Sequence, residues 1–110
     1  MTVIAPLTGS ATAAYYNFFV PPNTFDLSVI AVANKGDPDQ YLGVGFIPTN
    51  ENYSYKNASS GVFSCISVQM PPAGTYYYLL RKYNADVDGV FKTAVFINSR
   101  LGCSSMVGYK

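Results

Sequence analysis

The chain has 110 residues, of which 49 % are hydrophobic and only 12 % charged, with a formal net charge of +1. That length suits one domain with a two-layer core, and that apolar share excludes a disordered chain. With no histidine and a near-neutral charge balance, the commonest general base, the commonest metal ligand and the basic footprint of a nucleic-acid binder are all missing.

In chain order, Thr2 to Ala5 reads as a short extended piece before Pro6 and Gly9. Ala11 to Val20 reads as a strand stopped by Pro21-Pro22. Its phase is set by Asn17, which is costly to bury, so Tyr16, Phe18 and Val20 point inward while Tyr15 and Phe19 point outward. Phe25 to Asn34 alternates with a period of two, Phe25, Leu27, Val29 and Ala31 on one face and Asp26, Ser28 and Ile30 on the other. The run Asn34-Lys35-Gly36-Asp37-Pro38-Asp39 is a turn. Gln40 to Ile47 continues as a strand with Leu42, Val44 and Phe46 inward, and Gly43 and Gly45 on the other phase suggest bending or close backbone approach.

Residues 48–61 form a long polar connection carrying Tyr53 and Tyr55. Val62 to Met70 is a strand with Ile66, Val68 and Met70 inward, and Pro71-Pro72-Ala73-Gly74 turns the chain. Three consecutive tyrosines after Thr75 favour extended structure over helix, giving a long central strand, Gly74 to Asn84. There Tyr76, Tyr78 and Leu80 enter the core, and Tyr77, Leu79 and Arg81 face away. Asp88-Gly89 turns the chain into Val90 to Asn98, with Phe91, Thr93, Val95 and Ile97 inward. Cys103 to Lys110 supplies a candidate last edge strand.

Short strands with one apolar and one mixed face, and no helical period, predict an all-β fold: an antiparallel two-sheet β-sandwich, with a closed barrel as the competing architecture. The whole chain, 1–110, reads as one domain, with a C-terminal tail, 98–110, anchored by cysteine. No apolar run reaches the length of a membrane helix, and the first residues lack the features of a signal peptide. The expected setting is a larger secreted or cell-surface protein.

The order and spacing of several blocks resemble the bacterial-type pre-peptidase C-terminal domain, a jelly-roll-like sandwich related in fold to collagen-binding domains of secreted collagenases. The blocks are Tyr15-Tyr16-Asn17-Phe18-Phe19-Val20-Pro21-Pro22, Phe25-Asp26-Leu27-Ser28-Val29, Gly36-Asp37-Pro38-Asp39-Gln40-Tyr41-Leu42, Pro71-Pro72-Ala73-Gly74-Thr75-Tyr76-Tyr77 and Val90-Phe91-Lys92-Thr93-Ala94-Val95. The resemblance spans a family-like core over 12–97 and implies a non-catalytic module serving attachment, secretion or assembly. Gln40, where the family favours a small aliphatic residue, and the tail with Cys103 depart from the pattern.

Cys65 and Cys103 lie 38 positions apart with no metal-ligand spacing. In a polar, low-charge sequence of extracellular character, a disulfide between them is the expectation, and buried reduced thiols are the alternative. Asn52 and Asn57 each begin an Asn-x-Ser sequon and are candidate glycosylation sites. Asp37, Asp39, Asp86 and Asp88 fall in two acidic turns. Ordinary turn chemistry accounts for them, with calcium as the rival reading and no other cofactor expected. Without histidine neither serine nor cysteine has a partner base, so no catalytic residue is assigned and the chain is not expected to be an enzyme. What remains is aromatic: Tyr15, Phe19, Tyr41, Tyr77, Leu79 and Tyr83 form a candidate interaction surface on the non-core phase. The expected partner is a protein or a glycan, copies of the chain and other domains of the parent included. The leading function is a non-catalytic extracellular interaction or assembly module of a surface or filament protein. The alternative is a carbohydrate- or matrix-binding accessory module of a secreted enzyme.

Overall fold

The computed structural model of the chain describes residues 2–8, 11–58, 61–83, 89–98 and 103. All regular structure among them is strand: β1 (Thr2–Leu7), β2 (Ala13–Val20), β3 (Asp26–Ala33), β4 (Pro38–Val44), β5 (Tyr55–Asn57), β6 (Phe63–Gln69), β7 (Gly74–Lys82) and β8 (Phe91–Ile97). They form two four-stranded sheets, ordered β1-β8-β3-β6 and β2-β7-β4-β5, and every pairing is antiparallel. Apart from β4 and β5, consecutive strands sit in opposite sheets. That alternation is the connectivity of a jelly-roll sandwich.

The alternating apolar residues fill the space between the sheets. Leu27, Val29 and Ala31 from β3, Phe91 and Val95 from β8, and Ile66 and Val68 from β6 meet Tyr76, Tyr78 and Leu80 from β7 and Leu42 from β4. The central strand has the predicted phase, with Tyr76 and Tyr78 fully buried. Each tyrosine hydroxyl finds a partner, as a buried polar group must. Tyr76 donates to the Pro72 carbonyl at 2.7 Å and stacks on Phe18 with centroids 5.7 Å apart.

Gln40 lies at the centre of a buried polar cluster that joins the sheets. Its Nε2 donates to Ser64 Oγ on β6 at 2.9 Å and to the Val29 carbonyl on β3 at 3.3 Å, while its Oε1 accepts from Tyr78. The Tyr78 hydroxyl also lies 3.1 Å from Thr93 Oγ1 on β8. A long amide with two donors and an acceptor satisfies groups on both sheets, as a small aliphatic residue cannot.

Several expectations are corrected at strand ends. Phe25 precedes β3 and is 51 % exposed, its N–H donating to Asn98 Oδ1. Met70 follows β6 with φ 52° and is 72 % exposed, because the chain leaves the sheet there. The polar connection contains a short strand, β5, paired to Gln40, Tyr41 and Leu42. A last strand from Cys103 to Lys110 lies outside the described residues except Cys103, which sits in a turn.

Candidate interaction surface

The outer face of the β2-β7-β4-β5 sheet is built in rows by strand register. Tyr15, Leu79, Tyr41 and Lys56 make one row. Asn17, Tyr77 and Gly43 make the next, and Phe19 with Thr75 the one after. Neighbouring strands lie about 4.8 Å apart, so members of a row touch or nearly touch.

Two of the six expected surface residues are buried and leave the surface. Tyr41 is 5 % and Leu79 2 % exposed. The period of two placed them correctly on the outer face, but residues 45–54 fold back over that side of the sheet. The Tyr53 ring lies 5.6 Å from that of Tyr41, and Lys56 Nζ lies 5.2 Å from the Tyr53 ring. Ser54 ties the segment down, its N–H donating to the Leu42 carbonyl and its Oγ accepting from Val44 N–H. A Cβ on Gly43 would collide with the Phe46 carbonyl, which explains a glycine in that strand. Leu79, on the central strand, is flanked in its row by Tyr15 and by this covered Tyr41.

The open side lies over β2. Tyr15 is 56 % and Phe19 61 % exposed, and Tyr77 is half-buried between β2 and Gly43. Sequence reasoning missed Ile47, which is 63 % exposed. With Tyr15, Tyr16, Asn17 and Tyr77 it lines a shallow cavity of about 170 Å³. No local signal marks Ile47, since its place depends on the turn after β4. Tyr83, also exposed, follows β7 at the opposite end of the sheet from Phe19 and does not join this group. The surface is thus Tyr15, Asn17, Phe19, Ile47 and Tyr77, without a charged member. The nearest charges in the register are Arg81 and Asp39, one row beyond Tyr15, and Lys56 at the far edge.

Asp39 is almost fully buried, and burial, reinforced by the charge of Asp37, raises its pKa against the opposing pull of Arg81 and Lys56. Burial also raises that of Asp37. Both carry an Oδ1 without a hydrogen-bond partner. Asp86 and Asp88 lie outside the described residues, and those described contain no group of three or more acids or cysteines able to hold a metal.

Cys65, on β6, and Cys103 stand at bonding distance, their Cα atoms 5.7 Å apart. Asn52 is exposed in the connection. Asn57 is half-buried in β5 and its Nδ2, the atom a glycan would occupy, donates to the Cys65 carbonyl at 2.8 Å.

Comparison with protein-family models gives no match, and none of the curated proteins matches. Among solved structures, the fold is similar to the pre-peptidase C-terminal domain of collagenase from Bacillus anthracis. The TM-score is 0.68 at 20 % identity, over 86 % of this chain and 88 % of that one. The family resemblance read from the sequence blocks is therefore shared at the level of the fold.

Proposed function

We propose that the chain is a non-catalytic extracellular interaction or assembly module of a larger surface or filament protein, and that it makes contact through the outer face over β2. The observation carrying this reading is the pairing of Tyr15 and Phe19, each more than half exposed, with Tyr77 and Ile47 on one uncharged face. Rings in such a cluster are the anchors of protein contacts, and an apolar patch of this kind on a chain with little charge favours being covered. A paired Cys65 and Cys103 and a glycan on Asn52 suit a secreted setting. Asn52 is the better acceptor because the Asn57 amide already serves the fold.

The alternative, a carbohydrate- or matrix-binding accessory module of a secreted enzyme, draws on the shallow cavity that Tyr15, Asn17 and Tyr77 help to line. Aromatic faces with a nearby amide suit sugar stacking. A calcium ion at the acidic turns belongs to this reading as a proposal, with Asp37 and Asp39 as its described candidates. Surface plasmon resonance on immobilised domains of the parent protein, on fibrillar collagen and on a glycan array separates the two. Retention on the parent's domains that Tyr77→Ser and Tyr15→Ser both weaken supports the assembly module, and retention confined to collagen or glycans supports the accessory module. Binding that neither substitution changes would remove this face from the account.

A further inference from the structure

A sheet edge exposes unpaired backbone N–H and C=O groups, and proteins guard such edges with charge, proline, bulges, short strands or covering segments. Among the described residues the sandwich has four edge strands: β1 and β6 in one sheet, β2 and β5 in the other. Three carry a guard. β1 contains Pro6 and its register with β8 is broken between Ile4 and Leu7. β5 has three residues, one of them Lys56. β6 is bonded across to β5, with Asn57 Nδ2 on the Cys65 carbonyl and Ser64 Oγ on the Asn57 carbonyl.

β2 has none. It runs eight residues in unbroken register with β7, contains no charged residue and no proline, and leaves Ala13, Tyr15, Asn17 and Phe19 exposed. We propose that this edge is where a second copy of the chain adds, β2 against β2, antiparallel, about a two-fold axis through Asn17. This rests on the reading of the chain as an assembly module but concerns the strand edge, not the face around Tyr77.

The register follows from the sequence. A two-fold normal to the sheet keeps outer faces together, so residues of equal phase oppose each other. Centred on Asn17, residues 14–20 all pair. Tyr15 then meets Phe19 of the second copy twice on the outer face, and Tyr16 meets its Phe18 twice on the inner face. Centring on Tyr16 or Phe18 leaves Phe19 against Ala13 or against Asn17. Only the Asn17 register sets all eight rings ring to ring, and aromatic pairs are favoured cross-strand neighbours. Absence of charge on β2 and a net charge of only +1 let two copies approach without repulsion. The ladder and its rings cover on the order of the ~1,000 Å² at which specific contacts begin, so the pairing is reversible and concentration-dependent.

The test is sedimentation velocity of the full chain from micromolar to submillimolar concentration, with three variants. A monomer–dimer equilibrium is expected. Asn17→Lys, which sets like charges opposite each other at the axis, is expected to weaken it by about tenfold or more without lowering the melting temperature. Asn17→Cys is expected to cross-link to itself under mild oxidation, because opposed Cα atoms lie ~4.5–5.5 Å apart, within the disulfide range. Tyr77→Ser, on β7, is expected to leave self-association unchanged even where it abolishes collagen or glycan retention, which separates edge from face. A wild-type chain that stays monomeric throughout, with Asn17→Cys cross-linking no faster than Ala11→Cys, overturns the proposal. So does a dimer that Asn17→Lys leaves intact.

Discussion

The Tyr78 hydroxyl donates to Gln40 Oε1 at 2.7 Å, in a part of the core where both residues are fully buried. Tyr78 and Gln40 stand on neighbouring strands of one sheet, and their remaining partners, Thr93, Ser64 and the Val29 carbonyl, belong to the other. The cluster therefore fixes how the two sheets face each other, a specificity that apolar packing alone does not supply. Tyr78→Phe keeps the ring but strands the Gln40 acceptor, and is expected to cost about 1–3 kcal/mol in urea unfolding. No loss of stability would show that the cluster does not hold the sheets together.

Leu79 and Tyr77 are neighbours in sequence with opposite expected sensitivities. Leu79, 2 % exposed between Tyr15 and Tyr41 in its row, behaves as a second, smaller core on the outer side of the sheet. Leu79→Ala should cost about 2–5 kcal/mol, as other buried leucine truncations do. Tyr77→Ser should leave most of the stability in place. Paired thermal melts decide it, and equal losses would mean that both residues pack as core.

Cys65 and Cys103 close a loop of 38 positions onto β6. A bridge there should contribute roughly 4 kcal/mol on a loop-closure estimate. Peptide mapping without reductant should find the two cysteines linked, and the Cys65→Ser, Cys103→Ser double variant should lose that stability. Two free thiols in material from an oxidising compartment would contradict the pairing.

Alkaline unfolding should be led by the buried tyrosines. Burial, with a smaller contribution from Tyr55, pushes the Tyr76 hydroxyl up from 10.0 to about 12, and burial raises Tyr78 further. The unfolded chain ionises these groups first, so their contribution is complete below pH 10 and falls as pH rises toward 12. Tyr76→Phe should flatten the stability–pH profile over that window. An unchanged profile would indicate that another group governs the alkaline limb.

Much of this fold is legible in the sequence because a strand buried on one face writes its phase into every second residue. Tyr76, Tyr78 and Leu80 on β7, and Phe91, Thr93 and Val95 on β8, are placed by that period alone. What the period cannot express is whether another segment covers the opposite face. Tyr41 and Leu79 alternate as surface residues should, yet the ring of Tyr53, held by Ser54, lies over that side of the sheet. The same limit hides Ile47, and it hides the role of Gln40, whose partners on β3 and β6 lie 11 and 24 residues away. The short strand β5 is masked by its polar composition, since it forms through pairing with β4 and not through an apolar pattern of its own.

The central claim is that the rings over β2 are a contact surface on a fold that does not need them. It is tested most directly by measuring binding and thermal unfolding together for Tyr77→Ser, using whichever of the parent-domain, collagen and glycan surfaces retain the wild-type chain. The account predicts binding weakened by roughly 1–4 kcal/mol with the melting transition largely preserved. Unchanged binding with a collapsed melting temperature would make Tyr77 a packing residue and contradict the claim.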